Sequence, residues 1–155
     1  SLQDFLEGLQ TRLRDYRLQP RQLQVEYTPR GQRDQPFFTS PLLEYYLSGR
    51  IDLYIEGEKA DMIIDFKSGK MNRPQLNFYS LLLHRLHQQR EKPIYKSMYQ
   101  VMERQFLDEE PGTENEFRSE LEEVLEEFSA SDKFIKISNY RCNRCPYQNI
   151  CRRGE

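Results

Sequence analysis

The first 141 residues of this chain contain no cysteine, and the whole chain has only two histidines. His84 and His87 are three apart near the end of one helical segment. That spacing suits a metal pair, but it suits exposed residues at a favourable helix terminus better. All three cysteines fall within ten residues at the end, Cys142, Cys145 and Cys151. The odd count and tight spacing exclude a disulfide framework, and the clustering excludes ordinary core thiols. No apolar run approaches the roughly 20 residues that span a bilayer. Charged residues interrupt the apolar ones near Ser1, so no secretory leader is visible there. These absences point to a cytoplasmic domain that needs no membrane. There is also no internal repeat, no low-complexity linker and no motif that reads base edges. The chain opens at Ser1 without Met, which fits a piece of a longer protein.

What is present is charge. Of 155 residues, 23 are Lys or Arg and 25 are Asp or Glu, a net charge of −2. A chain of this length is one domain by prior, with a single core. The near-neutral balance hides an asymmetry. Between Asp108 and Glu127 ten acidic residues stand against one Arg; the remainder holds 22 basic and 15 acidic residues, a net of +7. The basic remainder can meet phosphate while the acidic helix faces away. A merely solvated helix face explains the acidic run equally well.

Hydrophobic periodicity gives the order of elements. Leu2, Phe5, Leu6, Leu9, Leu13 and Tyr16 recur at three- and four-residue spacing, which predicts an amphipathic helix over 2–17, ended by Pro20. Residues 22–27 alternate as a strand with Leu23, Val25 and Tyr27 on one face and Glu26 on the other. Three Pro and one Gly make 28–41 a loop. Asn72 as cap and Pro74 in the first turn start a helix over 75–89, with Leu76, Leu82, Leu83 and Leu86 toward the core. A strand follows Pro93 over about 94–103. Thr113 and Glu116 make a capping box, followed by Phe117, Leu121, Val124, Leu125 and Phe128 at helical spacing. The expectation is an α/β fold with a mixed central sheet flanked by helices.

Between the loop and the second helix lie the most informative residues. Ile51, Leu53 and Ile55 alternate with Asp52, Tyr54 and Glu56, and Met62, Ile64 and Phe66 alternate with Ile63, Asp65 and Lys67. The turn between them centres on Gly57-Glu58-Lys59. A hairpin then sets Asp52 opposite Asp65, with Cβ atoms about 5 Å apart. Asp is depleted from strand interiors. Two carboxylates this close repel unless a cation lies between them. Hard oxygen donors with open positions favour Mg²⁺ or Mn²⁺, and Lys67 on the same face can hold a water or steady a phosphate. The plain alternative is a solvated strand face. Gln75 and Tyr79, four apart, share one face of the next helix; they either satisfy polar groups at the core edge or stand beside the carboxylates.

The set Gly49-Arg50-Ile51-Asp52, Ile64-Asp65-Phe66-Lys67-Ser68-Gly69, then Gln75 and Tyr79, resembles the RecB-type nucleases of the PD-(D/E)xK superfamily, as found in AddAB- and RecBCD-like helicase–nucleases. The resemblance is close over roughly 49–83. It implies a restriction-endonuclease-like core over 1–141, with 142–155 as a cysteine tail of the same domain. It implies that Asp52, Asp65 and the backbone carbonyl of Phe66 hold the metal, that Lys67 is catalytic, and that Gln75 and Tyr79 support the site and contact DNA. Many members add a His on the first helix. This chain has none there, so Glu7 or Glu26 could take its place, or the His lies upstream.

Cys142-x-x-Cys145 with Cys151 suits a metal or cluster. The resemblance implies a [4Fe–4S] cluster completed by a fourth, upstream cysteine. With three thiolates here, the cluster belongs to the intact parent protein and is expected to be absent from this chain. The other options are a fourth ligand that is not cysteine or comes from another subunit, a tail that holds no metal, and a zinc site completed by water or another side chain. The combined expectation is a Mg²⁺- or Mn²⁺-dependent deoxyribonuclease, an exonuclease acting without sequence preference beside a helicase domain or subunit in recombination and repair. The rivals are an inactive DNA-binding or assembly module on the same fold, and a small interaction domain in which only the tail binds metal.

Overall fold

Both faces of the central strands are buried, and this explains why they are apolar almost throughout. The computed structural model describes residues 1–29, 36–69, 73–86, 92–110 and 112–130. The elements are α1 (Leu2–Asp15), β1 (Pro20–Tyr27), β2 (Phe38–Thr39), β3 (Glu44–Tyr45), β4 (Ile51–Gly57), β5 (Asp61–Lys67), α2 (Arg73–Leu86), β6 (Ile94–Gln100), β7 (Gln105–Glu109) and α3 (Thr113–Ala130). Five strands form one sheet in the order β1-β4-β5-β6-β7, and β2 pairs with β3 in a separate ribbon. Only β5 and β6 run parallel; the other neighbours are antiparallel. A parallel pair needs a long crossover, and α2 supplies it. The fold is α/β, a mixed sheet flanked by three helices, as expected.

One face of the sheet carries Leu53, Ile55, Met62, Ile64 and Tyr99, packed against Leu9, Phe5 and Leu13 of α1. Tyr54, Ile63 and Met98 pack instead with Leu76, Tyr79 and Leu83 of α2. The face expected to be charged is therefore mostly core, with Asp52, Asp65 and Lys67 at its end. α1 is latched by Arg12, whose guanidinium grips Asp108 of β7 through two contacts of 2.7 and 2.8 Å and lies over the Phe106 ring. Gly57 closes the β4–β5 hairpin because a Cβ there would stand 2.2 Å from the Ala60 carbonyl. Its N–H donates to buried Asp61, which also accepts from the Tyr54 hydroxyl.

Three details differ from expectation. The strand over 94–103 stops at Gln100, turns through 101–104 and returns as β7. Gln105–Glu109 carries three polar residues in five, and that composition hid its edge-strand character. A short ribbon, β2–β3, lies at the end of the loop region; Tyr45 contacts Phe128 and Ser129 of α3. Thr113 does not stand outside its helix as a cap. Its hydroxyl sits 2.7 Å from Lys96 Nζ and 2.9 Å from Asn77 Oδ1. The helix end expected at 89, His87, the cap Asn72, the apolar segment 134–137 and the three cysteines lie outside the described residues.

Lys96 was unmarked by its sequence context. Its side chain is wholly buried on the α2 face of β6, and its ammonium donates to Asn77 of α2 and to Thr113 and Glu114 of α3 at 2.7–2.8 Å. His84, which is partly exposed, reaches Glu114 Oε1 at 3.3 Å. Burial alone pushes the Glu114 carboxyl up; hydrogen bonds from His84 and Lys96 and the Lys96 charge outweigh it and hold the pKa at about 2. Its stabilising contribution is full above the ordinary value of 4.5 and is lost as pH falls toward about 2. Lys96→Ala, which strands a buried carboxylate, is expected to cost about 3–5 kcal/mol in urea unfolding at neutral pH. The deficit should shrink as pH falls toward the ordinary Glu value, where the stranded carboxylate protonates, and further below it, where the parent loses its own Glu114 contribution. A deficit that stays constant with pH would mean that lost packing, not the buried charge, sets the cost.

Candidate active site

The β4–β5 ladder pairs Ile55 with Met62, Tyr54 with Ile63 and Leu53 with Ile64. One further step in that register brings Asp52 opposite Asp65. There the backbone ladder gives way to a side chain: Asp52 Oδ2 accepts from the Phe66 N–H at 2.9 Å. This bond draws the Asp52 carboxylate across the gap toward β5. Asp65 is 1% exposed, while Asp52 is half-buried. Both are brought to the α2 face, along with Lys67.

Lys67 Nζ lies 2.8 Å from Asp65 Oδ2 and donates to Gln75 Oε1 at 2.6 Å. The Gln75 amide donates in turn to Asp65 Oδ1 at 3.1 Å and to the Tyr79 hydroxyl at 2.7 Å. Gln75 therefore ties the strand-borne pair to α2. Tyr79 is buried, and its ring lies against Gly49, where a Cβ would meet it at 3.1 Å. A glycine at 49 is thus what lets the ring close over the end of β4.

The electrostatics are strained in one direction. Burial raises the Asp65 carboxyl above its ordinary value of 3.8; Lys67 opposes the rise and the neighbouring Asp52 adds to it. Asp65 Oδ2 has the Lys67 ammonium close by but receives no directed hydrogen bond. A buried carboxylate oxygen with no such bond, beside a second carboxylate, fits a hard divalent cation. Asp52 and Asp65 are the side chains that would hold it. The Phe66 ring points to the other face, 5.2 Å from Phe5 and 6.1 Å from Tyr99. Among the described residues no group of three His, Cys, Asp or Glu side chains converges. Glu7 is exposed on α1 and bonded to Gln3. Glu26 is exposed, has φ of 50°, and pairs with Arg50 at 3.8 Å. Neither joins the two aspartates.

The profile of the PD-(D/E)XK nuclease superfamily matches residues 1–152. The chain belongs to the PD-(D/E)XK nuclease superfamily. Among curated proteins none matches it significantly. Asp65-Phe66-Lys67 has the form that the second half of the superfamily name spells, and Ile51-Asp52 has Ile where the first half has Pro. Members of the superfamily use divalent metals, which agrees with the donor set at Asp52 and Asp65. No helix among the described residues is long and apolar enough to cross a membrane.

Because the Asp65 pKa is raised, its ionisation costs stability as pH climbs through and above the ordinary carboxylate range. Asp65→Asn is therefore expected to melt at the same temperature as the parent or higher, in metal-free buffer at neutral pH. Millimolar Mn²⁺ should raise the melting temperature of the parent and leave the variant unmoved. A variant that melts several degrees lower without metal would make the Lys67 ion pair, not a cation, the partner Asp65 is built for.

Proposed function

We propose that this nuclease-superfamily domain hydrolyses DNA phosphodiester bonds with Mg²⁺ or Mn²⁺ held by Asp52, Asp65 and the Phe66 carbonyl. The reading is supported most by the pair of buried Asp65 and half-buried Asp52, with Lys67 fixed between Asp65 and Gln75. A divalent cation at such a pair supplies Lewis acidity toward the phosphoryl oxygen and lowers the pKa of water. The chain supplies the rest. Asp52 and Asp65 position the charge at the end of the sheet. Lys67 presents an ammonium that orients the attacking water and steadies charge on the phosphate. Gln75 holds the Lys67 rotamer, and Tyr79 holds Gln75. The sequence carries no base-reading motif, so contacts run to the DNA backbone and tolerate any sequence. We further propose an exonuclease in a recombination or repair helicase–nuclease of the cytoplasm. The cysteine tail supports that setting: Cys142, Cys145 and Cys151 are one thiolate short of the four a [4Fe–4S] cluster commonly takes, and a longer protein could supply the fourth.

A second reading has its own support. With only two acids converging among the described residues, the domain could bind DNA or a partner without turnover. Linear and closed circular DNA incubated with Mg²⁺ or Mn²⁺ separates the two. An exonuclease degrades the linear form and spares the circle. Lys67→Ala should lower the rate by about 100-fold or more, the scale of one lost electrostatic stabiliser, with the fold intact by circular dichroism. A parent chain that binds DNA but cleaves neither form in either metal would leave the non-catalytic module as the answer.

A further inference from the structure

Gln75 holds Asp65, Lys67 and Tyr79 together, and its aim depends on how α2 is rotated about its own axis. Successive helical residues are about 100° apart. Leu76 and Leu83, both fully buried, mark the stripe of α2 that lies on the sheet. Gln75 and Tyr79 project to one side of that stripe, with Gln75 reaching Asp65 and Lys67 at the end of β5. Asn77 and His84 project to the other side, toward β6 and α3. Burial of leucine is non-directional, so it seats the helix and constrains its rotation weakly. Hydrogen bonds are directional and are lost by about 3.6 Å. A roll of about 20° would carry a side-chain tip, roughly 5–6 Å from the axis, through about 2 Å. That displacement is enough to break the Lys67–Gln75 contact of 2.6 Å.

Asn77 is the fixed point on the far side. Its Oδ1 accepts from Lys96 Nζ at 2.8 Å and from the Thr113 hydroxyl at 2.9 Å. Lys96 is wholly buried and is also held by Thr113 and Glu114 of α3, so it cannot follow α2 through a roll. β5 and β6 run side by side, with Ile63 against Lys96 and Asp65 against Met98. Gln75 and Asn77 thus tie one helix to two adjacent strands, from opposite sides of its apolar stripe. We propose that Asn77 is a positioning residue for phosphodiester hydrolysis: by tying α2 to Lys96 and Thr113 it sets the rotation that puts Gln75 on Asp65 and Lys67. Asn77 acts on Lys67 through Gln75 alone. The assignment deepens the nuclease reading of the site and rests on it.

The test compares the full parent chain with Asn77→Leu, Asn77→Asp and Lys92→Met. Leu is close to Asn in size, favours helix and removes the acceptor while leaving the Lys96–Glu114 pair in place. Asn77→Ala serves if the Leu variant misfolds. Asp keeps the Oδ1 acceptor. Lys92→Met breaks contacts with Asp61 and the Gly57 carbonyl at the far end of the β4–β5 hairpin, and controls for lost stability alone. Two readouts are taken where every variant is folded by circular dichroism. The first is the Gln75 side-chain amide in a proton–nitrogen correlation spectrum, assigned by its loss in Gln75→Glu. It should move toward the position of an exposed glutamine in Asn77→Leu and stay in place in Asn77→Asp and Lys92→Met. The second is cleavage of linear DNA with Mn²⁺. In Asn77→Leu, kcat should fall about ten-fold or more, the scale of a misplaced reacting group, with KM little changed, and Asn77→Asp should recover most of the loss. An unmoved Gln75 amide in Asn77→Leu, equal kcat losses in the Leu and Asp variants, or a loss no larger than that of Lys92→Met would overturn the positioning role. A parent that cleaves nothing sinks the nuclease reading; a moved amide would then keep Asn77 as the residue that aims Gln75, and an unmoved one would sink both.

Discussion

The structure turns on two carboxylates that a hairpin register forces together. Asp52 and Asp65 meet because β4 and β5 pair in one frame and because Asp52 replaces the next ladder bond with its own side chain on the Phe66 N–H. Slipping that register by one residue would send every side chain of one strand to the opposite face. The apolar sets on both faces, Leu53 and Ile64 on one and Tyr54 and Ile63 on the other, resist such a slip. The core thus specifies the juxtaposition, and the juxtaposition creates a negative charge density that the Phe66 N–H, the Gln75 amide and Lys67 meet in part.

α2 is what converts this pair into a site. Its first turns send Gln75 and Tyr79 to Asp65 and Lys67. Its middle sends Asn77 to the buried Lys96, and its last turn sends His84 to Glu114. The second set fixes the helix on the sheet through α3, so the rotation that aims Gln75 is set by a polar network below it. Such a network is costly to leave half-satisfied, which makes it a source of register for the helix as much as of stability. A buried lysine with three acceptors also explains why an acidic helix is anchored here: Glu114 supplies the counter-charge at its start.

Much of this was legible in the sequence, and the gaps have physical reasons. Period-two alternation identified β4 and β5 and put Asp65 and Lys67 on one face, because strand side chains alternate regardless of context. The spacing of Gln75 and Tyr79 followed from helical geometry in the same way. The family was legible from the ordered motif alone. Lys96 was not, since a lone lysine in a strand resembles an edge residue until its partners on α2 and α3, 17 to 19 positions away, are known. β7 was hidden by its polar residues, which serve tertiary bonds: Asp108 answers Arg12 and Ser97. Alternation also assigned Tyr54 and Ile63 to the charged face without showing that α2 would bury them.

The two buried charge clusters on the α2 face have opposite thermodynamic characters, and that contrast separates them by role. Around Glu114 the donors outweigh burial and the acid is held low, so the cluster favours folding at neutral pH. Around Asp65 burial and Asp52 outweigh Lys67 and the acid is held high, so the cluster opposes folding at the same pH. Sites that store unfavourable electrostatics persist when they serve binding or chemistry and when neighbouring structure offsets the cost. The Lys96 network lies on the same helix and sheet face and is placed to offset it. The two clusters thus differ in charge balance: the acid is held low around Glu114 and held high around Asp65.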